Sequence, residues 1–179
     1  CIRDSLFRKN DPMRRALILV LCVAALVSTP AARPFNTPTV DGSIAVAPDD
    51  WDGSDLAVDD PTGESPWGPN DIDDLWTTFD EGYLYIGVRY QVSDNGMLVL
   101  LDMGTGVGAA DINGLDWYPR NFNFPDSLLG EFIIAGWNGS GPEVRRILDS
   151  STTEDVTASC LVATTSDGGW FESEIAIPW

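Results

Sequence analysis

The stretch IDDLWTTFDEGYLYIGVRYQVSDNGMLVLLDM, residues 72–103, decides the fold. Leu84, Ile86, Val88 and Tyr90 alternate with Tyr83, Tyr85, Gly87 and Arg89. A period of two places one row inward and the other outward on a strand spanning residues 83–92. A strand over residues 75–79 precedes it across Asp80-Glu81-Gly82, where Gly82 can take a positive φ. Residues 97–103 follow across Ser93-Asp94-Asn95-Gly96, and Asn-Gly is a strong hairpin signal. The stretch therefore reads as three consecutive strands of a meander. Residues 97–101 are apolar on both faces, which predicts a central strand covered on both sides. The inward row needs a second sheet to hide against, and the rest of the chain must supply it.

Working outward, Val40-Asp41-Gly42-Ser43-Ile44 reads as a turn beside an edge strand, and Leu56 and Val58 alternate briefly after the acidic run DDWDGSDLAVDD (residues 49–60). PTGESPWGPN (residues 61–70) is a Pro/Gly loop. GTGVGAADINGLDWYPR (residues 104–120) is a long Gly-rich loop, a kind of segment that often carries function. Strand patterns recur at residues 121–124, 131–137, 143–149, 155–163 and 170–177, and nothing in the chain keeps a helical period. Many short strands separated by turn residues predict an all-β, two-sheet antiparallel sandwich.

The 179-residue chain divides before this body begins. Met13-Arg14-Arg15 followed by ALILVLCVAALVS is a charged region and an apolar core too short to span a bilayer. It reads as a signal peptide over residues 13–31, cut near Ala31/Ala32, which predicts an exported protein with no membrane insertion after cleavage. Residues 1–12 read as an upstream extension, residues 32–40 as a leader, and residues 41–179 as the sandwich. SEIAIPW stops in mid-pattern, so the expectation is a sandwich incomplete at its C-terminus.

Residues 32–179 carry five Arg, no Lys and 26 carboxylates, a net charge of −21. Nucleic acid and anionic membranes need a basic stripe that is missing here. The charge is compatible with divalent cations, neutral ligands or a saline habitat. Cys160 is the single cysteine of that body, so it has no intrachain disulfide; in the row Val156, Ala158, Cys160, Val162 it reads as a small buried apolar residue. There is no His, which removes Ser-His and Cys-His triads, His-ligated zinc and His-ligated haem.

VDGSIAVAPDDWDG, DLWTTFDEGYLYIGVRY, MLVLLDM with its Gly-rich loop, NGLDWYPRNFNF and FESEIAIPW together resemble the secreted β-sandwich of the family 9 carbohydrate-binding-module type, within the wider DOMON-like superfamily. The resemblance runs from about Thr39 to Trp179. It implies a jelly-roll-like sandwich, structural calcium, and sugar held between tryptophans. Such modules are often appended to glycan-active enzymes or surface proteins, which implies a catalytic or anchoring neighbour beyond Trp179. Haem-binding DOMON members ligate iron through Met and His, so a chain without His should hold no haem.

A sugar ring buries its C–H face on an aromatic ring while polar neighbours bind its hydroxyls. Trp67, Trp117, Tyr118 and Trp137 fall in loops or at strand ends, and Trp117-Tyr118-Pro119-Arg120-Asn121 gathers two aromatics, a guanidinium and an amide within five residues. Two readings of Trp117 and Tyr118 stay open: ligand contact, and capping of one end of the core. Trp51, Trp76, Phe79 and Trp170 read as packing residues. For calcium, which takes six to eight oxygens, the carboxylates of interest are Asp50, Asp52, Asp74 and Asp102, with Asp71 and Asp73 beside them. The run DWDGSD is not an EF-hand, because its Gly falls one position early and no Glu closes it. No carboxylate pair is singled out as a glycosidase dyad, and GTGVG lacks the GK[ST] of a phosphate loop. The expected function is a non-catalytic saccharide- or polysaccharide-binding module; the rival is a structural or adhesion sandwich with calcium and no glycan site.

Overall fold

The computed structural model describes residues 36–46, 50–66, 68–125, 127–138 and 140–179. The compact unit Phe35–Trp179 holds the sandwich. The upstream extension, the signal peptide, residues 32–35 of the leader and Trp67 lie outside the described residues.

Among the described residues nine strands form: β1 Leu56–Asp59, β2 Asp71–Phe79, β3 Tyr83–Gln91, β4 Gly96–Leu101, β5 Phe132–Trp137, β6 Ser140–Ile147, β7 Thr153–Asp155, β8 Leu161–Asp167 and β9 Trp170–Pro178. They make a five-stranded sheet in the order β1-β2-β3-β9-β8 and a four-stranded sheet in the order β4-β5-β6-β7, all antiparallel. The all-β, two-sheet sandwich expected from the sequence is what forms. The described residues contain no α-helix, only 3-10 turns at Gly53–Asp55 and Thr157–Ser159, and no helix long and apolar enough to cross a membrane.

The β2–β3 hairpin has the register the alternation demands, running from Ile72 opposite Tyr90 to Phe79 opposite Leu84. Ile86, Val88 and Tyr90, with Ile175 and Ile177 of neighbouring β9, face the second sheet and its Met97, Ile134 and Val144. Tyr90 is fully buried, its hydroxyl 3.1 Å from Ser173 Oγ.

The third strand of the expected meander is elsewhere. β4 belongs to the other sheet, and the edge of β3 it was to occupy is taken by β9, from Tyr83 opposite Pro178 to Tyr90 opposite Phe171. The Ser93–Gly96 turn is a crossover, not a hairpin. Its backbone donors go to neighbouring loops, Ser93 N–H to Asn70 Oδ1 and Asp94 N–H to Asn138 Oδ1. β4 is an edge strand rather than a central one, yet it is covered on both faces as its composition requires. Met97, Val99 and Leu101 pack into the core between the sheets, while Leu98 and Leu100 pack under the segment that follows.

Residues 121–124 do not form a strand; Asn123 makes only an isolated bridge to Asp111. The row from Val156 to Val162 is broken by the turn Thr157–Ser159, which leaves Ala158 exposed and Cys160 half-buried against the core. Burial pushes the Cys160 thiol up from its ordinary value.

The outward row of β3 is not left to solvent either. Trp51 and Trp76 pack edge to face, ring centroids 6.1 Å apart, over Tyr85 and Ala176, with Val40 and Ile44 beside them. Gly87 makes room: a Cβ there would stand 3.0 Å from the Trp51 ring. Glu174, fully buried on β9, holds this N-terminal segment down. Its carboxylate accepts from Trp51 Nε1, Asp41 N–H and Gly42 N–H. Replacing Glu174 with Ala should leave those donors buried and unpaired, at a cost of about 3 kcal/mol. Urea denaturation measures it, and an unchanged midpoint would show that the segment is held by its tryptophans alone.

Asp80 closes the β2–β3 turn. Its carboxylate accepts from the Tyr85 hydroxyl, from Gly82 and Tyr83 N–H, and from the Thr37 hydroxyl. The Tyr85 hydrogen bond, ahead of the backbone donors, holds Asp80 down to about 2. A depressed carboxylate stabilises the fold above the unfolded-state value near 4 and loses that contribution as pH falls through the folded-state value. Acid titrations of wild type and Asp80→Asn should therefore differ above about pH 4 and converge toward about pH 2. Parallel curves throughout would rule out Asp80 as the source.

Candidate ligand-binding face

The four-stranded sheet has an outer face, and the site is built there. Pairing puts Gly96, Leu98 and Leu100 of β4 opposite Trp137, Ala135 and Ile133 of β5, and Arg145 of β6 opposite Ile133. Met97 and Ile134 point into the core, so this alternate set points away from it.

The segment between β4 and β5 folds back over this face. It is pinned by the Ala109–Gly130 bridge and by backbone bonds from Ile112 to Phe122, Arg120 to Ile112 and Phe124 to Ala110. Gly108, at φ 112°, lies so close to the Gly130 carbonyl that any side chain would collide with it. Ala109, Ile112 and Leu115 then cover Ile133 and Ile147. Asp116 fastens the end of the cover to β7, its Oδ1 accepting from Thr153 N–H at 3.0 Å and Thr153 Oγ1 at 2.8 Å. Trp117 and Tyr118 come next, on the sheet.

Trp117 is half-buried, with Arg145 over its ring at 4.6 Å. Arg145 is itself held by Glu143, through Nε at 2.7 Å, and lies 4.0 Å from Asp155. Tyr118 stands 5.3 Å from Trp117, tilted 45°, in the left-handed region at φ 52°. Its hydroxyl is buried against Gly96 and has no hydrogen-bond partner. Arg120 lies over the Tyr118 ring at 4.2 Å, its Nη1 donating to the Pro119 carbonyl.

Gly96 is also the cross-strand partner of Trp137, a residue 44% exposed at the end of β5. Trp137 and Tyr118 are thus each placed against the same residue, one that has no side chain. Arg120 and exposed Asn121 continue the face into a shallow pocket of about 310 Å³ with Asn113 and Pro119. Trp117, Tyr118, Arg120, Asn121 and Trp137 are therefore brought to one side of one sheet.

Gly96 and Arg145 were missing from the sequence reading. Gly96 was visible there only as a turn residue. Arg145 sits in the outward row Glu143, Arg145, Ile147 of β6, but nothing local ties that row to Trp117.

The four calcium candidates are not gathered in one place. Asp52 caps the turn Gly53–Asp55 and accepts from Ser54 N–H. Asp102 accepts from Gly104 and Leu129 N–H beyond the end of β4. Asp74 lies on β2, where burial and neighbouring Asp59 raise its carboxyl. Asp50 precedes Trp51; burial raises its carboxyl, and its Oδ1 is enclosed without a hydrogen-bond partner. Among the described residues, three carboxylates converge within 4.8 Å at Asp60, Glu64 and Asp71, where Asp71 already accepts from Gly63 N–H at 2.6 Å.

No family model, no curated protein and no solved structure matches the chain.

Replacing Gly96 with Ala would drive a methyl into the Tyr118 hydroxyl. Tyr118 has to move, at a cost of about 1–3 kcal/mol for overpacking. Near-UV circular dichroism and thermal melting should both change; if neither does, Tyr118 is not seated as described.

Proposed function

We propose that the chain is a non-catalytic saccharide-binding module of an exported protein, with the sugar on the outer face of the four-stranded sheet. One observation carries this reading. Exposed Trp137 is the cross-strand partner of Gly96, the same glycine against which Tyr118 is seated, and Arg120 over the Tyr118 ring leads to a pocket with Asn113 and Asn121. Such a surface offers an aromatic floor for C–H groups and donors for hydroxyls. The high negative charge suits a neutral ligand better than an anionic one.

In this reading the aromatic residues have unequal roles. Trp137 is the open platform. Trp117 has one ring face occupied by Arg145, so it supports the floor rather than forming half of an open cleft. Arg120 and Asn121 supply donors at the edge.

A titration by intrinsic fluorescence with mono- and oligosaccharides tests the assignment. Trp137→Ala should weaken binding at least about tenfold, the loss expected when an aromatic stacking surface is removed, with little change in urea midpoint. Trp117→Ala should lose both affinity and stability. Saccharide affinity that survives Trp137→Ala would remove the sugar from this face.

The stacking of Arg145 on Trp117 also favours a second reading, a structural or adhesion sandwich in which these rings only cap the sheet. A folded protein that binds no saccharide would select it. Calcium belongs to both readings as a stabiliser, and the orphaned Asp50 Oδ1 fits a cation ligand. A bound ion raises the melting temperature by mass action. Chelator should therefore lower the melting temperature of wild type and leave Asp50→Ala unchanged; a wild type insensitive to chelator would remove calcium from the account.

A further inference from the structure

The far end of the strands holds a cavity that the aromatic face does not use. Trp137 ends β5, whereas the cavity opens at Phe132, where β5 begins. Its volume is about 520 Å³, and its walls come from both sheets: Leu84 and Ile177 from one, Phe132 and Ile147 from the other. Protein interiors pack to the density of organic crystals, with few voids larger than a water molecule. An opening of this size falls in the range of small-molecule sites, which are mostly apolar with a few placed polar groups.

The placed polar group is Glu131, which lines the cavity and is only 4% exposed. Oε1 is fixed by Thr105 N–H and Thr105 Oγ1, both at 2.7 Å. Oε2 accepts from no described residue. The one cation on the wall, Arg146, is paired with Glu154 at the surface. The cavity thus presents hydrocarbon walls and one carboxylate that pairs with no cation among the described residues. Burying such a charge is costly unless it is paired.

We propose that this cavity binds the aliphatic chain of a small amphiphile whose protonated amine meets Glu131. The walls take the chain, and Oε2 accepts from the ammonium. A carboxylate head of the same length is repelled, so head-group discrimination is the signature of the site.

Calorimetric titration of the full chain at neutral pH with decylamine, decanol and decanoate, each below its micelle-forming concentration, tests it. Decylamine should saturate at one per chain and bind at least about tenfold more tightly than decanoate, the scale expected for a charge-assisted bond out of water. Glu131→Gln should abolish most of that preference. Val107→Trp, a change on an exposed loop residue at the mouth, should fill the entrance and weaken decylamine at least about tenfold by exclusion. It does so without touching the carboxylate, so it decides the matter even if Glu131→Gln loosens the Thr105 loop. Trp137→Ala should leave decylamine binding unchanged, which separates this site from the saccharide face.

Absence of saturation overturns the proposal. So does equal affinity for amine and carboxylate, or decylamine binding untouched by Val107→Trp. Self-association that Val107→Trp abolishes also overturns it and gives the cavity to a second copy of the chain.

Discussion

Both sheets carry apolar residues on both faces, and everything else in the molecule follows from having to cover four faces with one short chain. Two faces cover each other in the core around Tyr90, Met97, Ile134 and Ile175. The remaining two need lids, and strands are not available to make them. The N-terminal segment covers the five-stranded sheet through Trp51 and Ile44, and the segment between β4 and β5 covers the four-stranded sheet through Ala109, Ile112 and Leu115. Irregular backbone over an apolar face brings polar groups that must be satisfied. Acidic residues do this work: buried Glu174 under the first lid, and buried Glu131 with exposed Asp116 at the second. The carboxylates are thus partly structural, and the charge of the chain is not only a surface property.

The same economy governs the arginines. Each of the four in the described residues is engaged. Arg89 pairs with Asp73 and lies over Trp170, Arg146 pairs with Glu154, Arg145 is held by Glu143 over Trp117, and Arg120 lies over Tyr118. Three of the four rest on aromatic rings, an arrangement worth about 0.5–2 kcal/mol each depending on exposure. In so acidic a chain these guanidiniums fix rings in place, and a ring fixed on one face can present only its other face or its edge to a ligand. That constraint distinguishes Trp117 from Trp137 more sharply than their positions in the sequence do.

What the sequence made legible was local. The period of two in β3 placed Leu84, Ile86, Val88 and Tyr90 inward, and Asp80-Glu81-Gly82 placed the β2–β3 turn, because both depend only on residues close in the chain. β4 was legible as a strand apolar on both faces, but not as an edge. Its position is set by β9, which arrives more than 60 residues later in the chain and takes the free edge of β3. An Asn-Gly turn permits a hairpin without compelling one when a longer partner competes for the same edge. The site divides in the same way. Trp117, Tyr118, Arg120 and Asn121 were visible as neighbours in sequence, whereas the placing of Tyr118 and Trp137 each against Gly96 depends on β4–β5 register and on the fold of a 30-residue segment. The dispersal of Asp50, Asp52, Asp74 and Asp102 was equally hidden, since convergence of carboxylates is a property of topology alone.

The segment between β4 and β5 links the two ends of the sandwich. At one end it lays Trp117 and Tyr118 on the sheet; at the other, Thr105 is tied to Glu131 beside the apolar cavity. The middle of the segment is a rigid cover, because Gly108 is locked against Gly130 and Ala109, Ile112 and Leu115 are buried. A packed cover transmits displacement poorly unless it has a second arrangement, and the backbone bonds within it leave little room for one. The two ends are therefore expected to act as separate surfaces of one rigid body, with chemistry set by what each exposes: aromatic rings and amides at one, hydrocarbon and a single carboxylate at the other.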